Sequence, residues 1–270
     1  MGTDTDIIVG IHSIVEALKN PQRKKSKIFA TDKGMLALRE ASKQLKLSTS
    51  YESSEMSLQD LNKHYEKKIK EHDWKNTSAI PSQIFLETSS LKIYDSSSML
   101  DDIKRILSER PDSNLKLFAL DNVTDVHNGA AILRTAAFFG VDFLIMSLKG
   151  SFGLTPSFYR IASGATEYVK IVKSVNLSRL LFELQEREIE CIGFSEHATD
   201  VTDVDSQNAD SVDKNAEKKF GRCLVLGSED KGLSHAVERV LKKKVAIISS
   251  GKIKTLNVSV AAALSMDRYF

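Results

Sequence analysis

The residues that could do chemistry sit at three places where a strand-like apolar run hands over to a helix-like one. They are Asn128 and Arg134 in NGAAILR, Glu229 between Gly227 and Gly232 in GSEDKGL, and Thr255, Asn257 and Ser259 in TLNVSVAA. Such junctions are where open α/β sheets place ligands. Arg134 lies among Ala130, Ala131, Ile132, Leu133, Ala136, Ala137, Phe138 and Phe139. A guanidinium in that setting needs a carboxylate, a phosphate or a cavity, or it must reach solvent at a helix edge. Asn128 reads either as the helix N-cap or as an amide turned toward a ligand. Glu229 reads as a solvated turn carboxylate or as the one placed acid of the site. The glycines match neither GxGxxG nor a P-loop, so dinucleotide and P-loop chemistry are not indicated.

The elements that must position these residues follow from hydrophobic period. From Leu115 the chain alternates strand LKLFALD, helix AAILRTAAFF, strand VDFLIM, a helix from Thr155, strand EYVKIV, helix LSRLLFELQ and strand IECIGF. Strand RCLVLG, helix SHAVERVL with Ser234 as its cap, strand KVAII and helix LNVSVAAALSM complete it. Strands alternating with helices imply a mostly parallel sheet covered on both faces. Before it, Ile7 to about Glu87 reads as a small α/β unit: strand IIVGI, helix IHSIVEALKN, strand KIFA, a helix over 34–45 and a lysine-rich helix over 57–70. Between the two lie a serine run, a helix around 101–107 and the turn residues of Arg110 to Asn114. The expected domains are therefore 1–95 and 96–270, with a linker about 91–114. Asp200 to Lys219 reads as a surface insert.

Composition narrows the function classes. The 270 residues carry a formal net charge of only +2, so a nucleic-acid partner would be held by local basic patches. Arg23, Lys24, Lys25 and Lys27, with Lys67, Lys68 and Lys70 further on, are candidates for phosphate contact or are solvated faces. Lys242, Lys243 and Lys244 read as a helix C-terminus, where cations suit the dipole. Cys191 and Cys223 each sit inside an apolar run and read as buried structural thiols, with no metal spacing. No apolar run reaches the ~20 residues of a membrane span. The polar start of the sequence shows no signal peptide, and the expected location is the cytoplasm.

Taken together, the three stretches resemble the signature motifs of the SPOUT superfamily, in its SpoU/TrmH branch of RNA 2'-O-ribose methyltransferases. Asn followed six positions on by Arg matches Asn128 and Arg134. Gly-x-Glu-x-x-Gly-Leu matches Gly227, Glu229, Gly232 and Leu233, and Ser/Thr-Leu-Asn-Val-Ser matches Thr255 to Ser259. SFGLTPSFYRIASGA resembles the piece that links the first two motifs, and coverage runs from about Leu115 to Phe270. GIHSIVEAL, at Gly10 to Leu18, is similar to the L30e-like substrate-binding domain of the 23S rRNA guanosine 2'-O-methyltransferases of this branch.

The resemblance implies an α/β, SPOUT-type sheet with a C-terminal trefoil knot, a homodimer and bound S-adenosylmethionine. By family position, Leu226, Gly227, Ile247, Ile248, Leu256 and Ser259 would contact the cofactor. Asn128, Arg134, Glu229, Thr255 and Asn257 would serve catalysis or RNA contact. The implied reaction is methylation of a ribose 2'-hydroxyl in structured RNA, foremost a guanosine of 23S rRNA, with no metal and no membrane partner. The competing readings are the same reaction on tRNA or on an antibiotic-resistance site of rRNA, and a non-catalytic RNA-binding or ribosome-assembly protein on the same scaffold. A guanidinium holds its proton too firmly to be a good base at neutral pH, so the expected role of Arg134 is to lower the hydroxyl pKa and grip the adjacent phosphate. Thr255 and Asn257 would orient the ribose, and Glu229 would hold Arg134 or a loop amide. Three departures from the pattern stand out: Asp125-Val126-His127-Asn128 lacks the usual proline, Ala130 replaces a glycine, and Ile247-Ile248-Ser249 lacks the proline that usually ends that strand.

Overall fold

The computed structural model describes residues 5–43, 45, 47, 50–74, 80–195, 220–253 and 255–270. The insert expected over 200–219 lies outside these residues, as does Lys254. The chain divides into two compact units, one of residues 1–92, 129–134 and 153–168, the other of 93–128, 135–152 and 169–270.

In the first unit β1 (Thr5–Val9), α1 (Ile11–Lys19), β2 (Ser26–Ala30), α2 (Asp32–Ser42), β3 (Tyr51–Glu55), α3 (Leu58–Glu71) and β4 (Ile84–Ser89) follow one another. The strands order as β1-β4-β2-β3, with β4 antiparallel to both neighbours and β2 parallel to β3. Strand alternation sends Ile7, Val9, Phe29 and Phe85 toward Leu61, Tyr65 and Ile69 of α3. The opposite face, with Ile8, Ile28 and Leu86, packs on Ile14 and Leu18 of α1 and Leu38 of α2. Side-chain caps set the helix starts: Thr31 accepts from the Gly34 amide and Ser57 from the Asp60 amide. β3 and β4 are additions to the elements legible by period. YESSE is a polar edge strand with no alternation to reveal it, and β4 inserts between β1 and β2 and does not pair with β3, the strand before it.

The second unit runs α4 (Ser96–Glu109), β5 (Leu115–Asp121), α5 (Val126–Phe138), whose residues 129–134 are grouped with the first unit, and β6 (Phe143–Ser147). After α6 (Pro156–Ala162), which belongs to the first unit, come β7 (Lys170–Ser174), α7 (Leu177–Gln185) and β8 (Ile189–Phe194). β9 (Gly221–Gly227), α8 (His235–Val240), β10 (Lys243–Val245) and α9 (Val258–Tyr269) end the chain. The six strands form one parallel sheet in the order β10-β8-β9-β5-β6-β7. The chain leaves β5 toward β6 on one side, while β9 pairs on the other. This reversal is the switch point at whose carboxyl edge such sheets bind ligands. Leu117, Ala119, Ile145, Val225, Cys191 and Cys223 pack beneath Ile103 of α4, Leu180 and Leu184 of α7 and Val237 of α8.

Several boundaries differ from the hydrophobic pattern for stated local reasons. α4 begins at Ser96 because Asp95 and Ser98 form a capping box, so the serine run is the helix's first turn and not a linker. Asp125 accepts from the Asn128 amide at 2.7 Å and caps α5, which corrects the reading of Asn128 as the cap. Glu167 closes a 3-10 turn and β7 starts only at Lys170, so EYVKIV is shorter than its apolar run. KVAII likewise contributes only Lys244 and Val245 to β10, which begins at Lys243, so Lys243 and Lys244 are strand residues, not a helix terminus.

Candidate active site

The carboxyl ends of β8, β9 and β10, the loop after β9 and the start of α9 enclose a cleft of about 300 Å³. Phe194, Leu226, Ile247, Leu256 and Val258 give it apolar walls, and Glu229, Asp230 and Glu238 add carboxylates. Gly227 is needed by the loop itself. A Cβ there would lie 2.0 Å from the carbonyl carbon of Gly232 and 2.3 Å from the amide of Leu233. The loop doubles back this tightly because Ser228 and Gly232 exchange both backbone hydrogen bonds, with Gly232 at φ +64°.

Beside the cleft, three of the motif residues meet through one carboxylate oxygen. Glu229 Oε1 accepts from Asn128 Nδ2 at 2.9 Å, from Asn257 Nδ2 at 3.0 Å and from the backbone amide of Val258 at 3.2 Å. Asn257 Nδ2 also donates to Asn128 Oδ1 at 3.0 Å. Asn128 thus bonds within the cluster through both atoms of its amide, and Glu229 also takes the backbone amide at the start of α9. Asn257 Oδ1 caps α9 by accepting from the Ser259 amide at 2.9 Å and from the Ser259 hydroxyl at 2.5 Å. All three side chains are at least partly exposed, so the cluster faces solvent.

The other predicted residues fall as follows. Leu226, Gly227, Ile247, Thr255 and Leu256 line the cleft. Ile248 does not, being 61% exposed, and Ser259 is spent on Asn257. Arg134 is exposed on α5 and has no hydrogen-bond or ion-pair partner among the described residues, so its guanidinium is available to an anion. Phe194, Ser195 and Glu238 are cleft residues that the sequence reading missed. The signal for the first two was their place at the carboxyl end of the strand IECIGF. Ser234 occupies the N-cap position of α8 but its side chain makes no capping bond.

In the first unit the basic run divides. Arg23 is a correction: it is buried, and its guanidinium donates to Asp6 Oδ2 at 2.5 Å, to the Ser89 carbonyl at 2.8 Å and to both Glu167 oxygens at 2.7 and 3.1 Å. Burial works against its charge, but the bonds and charge of Glu167 and Asp6 prevail and raise its pKa. A group committed this way has nothing left for a phosphate. Lys24 and Lys25 are exposed, while Lys27 is half-buried and faces Glu52 at 3.6 Å. Lys68 is engaged by Glu87 at 2.8 Å. Cys191 and Cys223 are free, buried and opposite one another in the β8–β9 register. The hydrogen bond of the Cys223 thiol to Cys191, and then burial, push the Cys223 pKa up, as befits inert core thiols.

The fold and the site define a class: a doubly wound α/β protein with a cleft at the carboxyl ends of β8, β9 and β10 and a carboxylate-organised pair of amides beside it. Residues 116–267 match the model of the SpoU rRNA Methylase family, and the chain belongs to that family. It is 29% identical over 262 residues to the 23S rRNA (guanosine-2'-O-)-methyltransferase RlmB of Salmonella typhimurium, covering 97% of this chain and 96% of that one. It is 31% identical over 167 residues to YacO of Bacillus subtilis, named for the TrmH family of tRNA/rRNA methyltransferases, covering 62% of each chain. The fold is also that of the SpoU methyltransferase AviRb of Streptomyces viridochromogenes, solved with AdoMet, at TM-score 0.66 and 19% identity over 98% of this chain and 89% of that one.

Proposed function

We propose that the protein transfers a methyl group from S-adenosylmethionine to a ribose 2'-hydroxyl of structured RNA, with a guanosine of 23S rRNA as its substrate. The observation that carries this is the convergence of Asn128, Glu229 and Asn257 beside the cleft. The cleft suits the cofactor: its volume is at the small end of the ~300–1,000 Å³ of ligand sites, its walls are apolar, and its three carboxylates outnumber the one cation, Lys231, in its lining. When bound, the cofactor supplies an already activated methyl group. Leu226, Gly227, Ile247 and Leu256 would hold it.

The chain's own task is alignment and proton management. Asn128 and Asn257, fixed by Glu229, present amides to the ribose, and Thr255 stands beside them on the cleft wall. Arg134, exposed and unpaired among the described residues, binds the adjacent phosphate and lowers the pKa of the 2'-hydroxyl. In this reading residues 1–95 form an L30e-like RNA-binding domain with Lys24 and Lys25 as its phosphate contacts, and 96–270 form the catalytic domain. The C-terminal part is knotted as a trefoil, and the working unit is a cytoplasmic homodimer without metal. Exposed apolar residues of the second unit such as Phe138, at 84%, and Ile253, at 79%, are of the kind a dimer covers. No helix among the described residues is long and apolar enough to cross a membrane.

The test is transfer of a labelled methyl from S-adenosylmethionine to purified 23S rRNA, 16S rRNA and tRNA, with resistance of the product to alkaline hydrolysis as proof of a 2'-O-methyl. Label in 23S rRNA alone is the expected result. Label confined to tRNA or 16S rRNA overturns the substrate, and absence of cofactor binding overturns the enzyme.

A further inference from the structure

Asp121 is the last residue of β5 and is only 2% exposed, yet it is ionisable and lies outside all three motifs. It stands in register with Gly227, so it flanks the strand end from which the cleft loop departs. Both of its oxygens are used: Oδ2 accepts the backbone amide of Ser234 at 2.6 Å, and Oδ1 accepts Asn122 Nδ2 at 2.8 Å. The first bond is the informative one. Ser234 ends the loop 228–234 and starts α8, and its own hydroxyl does not cap the helix. The loop thus has one end fixed by the Gly227–Gly232 close approach and the other by a buried carboxylate.

We propose that Asp121 is a positioning residue for the cofactor cleft, acting through the Ser234 amide to hold Glu229 where it collects Asn128 and Asn257. A buried charge is costly to leave unpaired, so the carboxylate and the amide enforce each other's place. The loop carries Ser228, Glu229, Asp230 and Gly232 into the cleft lining. Releasing its far end would lower both cofactor affinity and the fraction of molecules with Glu229 in place. The proposal rests on the reading of the cleft as an S-adenosylmethionine site.

Three variants separate the bond from its surroundings. Asp121→Ala removes the acceptor. Ser234→Pro removes the N–H together with the hydroxyl, at a residue whose φ of −66° already fits a proline ring. Ser234→Ala keeps the N–H and deletes a hydroxyl that caps nothing. Asp121→Ala and Ser234→Pro are expected to weaken S-adenosylmethionine binding ~10-fold or more by calorimetry, the scale of one lost charge-assisted bond, with Ser234→Ala unchanged. The double variant Asp121→Ala/Ser234→Pro should be no worse than the worse single. Amide hydrogen exchange over 229–233, measured without cofactor, should quicken in the first two variants and not in the third. If wild type binds S-adenosylmethionine and Ser234→Pro binds it equally well, or if exchange is the same in all, the positioning role is wrong. If wild type does not bind, the functional reading fails, while the exchange data still decide the anchoring.

Discussion

Replacing Glu229 with glutamine keeps the size of the side chain and one accepting oxygen but removes the charge that three donors share. Those donors approach Oε1 at 2.9, 3.0 and 3.2 Å. Hydrogen bonds to a charged group are about twice as strong as neutral ones, and a net bond in this partly exposed setting is worth about 1 kcal/mol. Losing about half of each gives roughly 1.5 kcal/mol, a ~10-fold fall in the population with both amides in place and hence in kcat. Glu229→Ala removes all three bonds, about 3 kcal/mol, and should cost ~100-fold. Because Asn128 and Asn257 are held through the same oxygen, Glu229→Ala combined with Asn257→Ala should fall well short of the product of the single effects. The assay is single-turnover methyl transfer at saturating S-adenosylmethionine, with cofactor affinity measured separately. Turnover within threefold of wild type for both Gln and Ala would mean that Glu229 is a solvated turn carboxylate. Strict additivity with Asn257 would mean that the cluster does not act as a unit.

Three further outcomes are expected. Arg134→Lys keeps a positive charge and loses the planar fork, so it should retain part of the RNA affinity and lose most turnover; near-normal turnover with lysine refutes the assigned role. Arg23→Met strands the buried carboxylate of Glu167, whose side chain is 2% exposed, and should cost roughly 3–5 kcal/mol of the first unit's stability in urea unfolding; Arg23→Met/Glu167→Gln should recover part of it, and a loss below ~1 kcal/mol would contradict the network. His64 stacks near Phe29 and Phe85 with its Nε2 buried and unpartnered among the described residues. Burial, then the charge of Lys68, lowers its pKa below 6.5. The unfolded chain therefore binds the proton more readily, and stability present at neutral pH should fall as pH drops through the unfolded value, about 6.5. His64→Phe should flatten that decline, leaving the part due to His72, whose pKa burial also lowers; an unchanged pH profile of the unfolding midpoint would rule the assignment out.

Helices and strands were legible wherever the decisive interactions are local. LSRLLFELQ and IECIGF coincide with α7 and β8 residue for residue, because a period of 3.6 or 2 in apolar side chains is imposed by one face meeting a core. Where a side-chain cap competes with the apolar pattern, as at Asp95 and Asp125, the helix begins earlier than hydrophobicity alone suggests. β3 was illegible since a polar edge strand owes its existence to the backbone of β2, not to its own side chains.

The chain's sequence by itself determined the α/β class, the inert cysteines and the set of motif residues at strand ends, all properties of neighbours within a few positions. Only the tertiary structure decided which polar groups serve one another. Asn128 and Glu229 are 101 positions apart and Asn257 is 28 further on, yet they share one oxygen. Arg23 lies in a basic run that reads as an RNA contact, and a carboxylate 144 positions away turns it into a buried structural ion. The physical reason is that a charge or amide is indifferent to sequence distance: its role is set by what else has been removed from water around it, and only the folded chain specifies that.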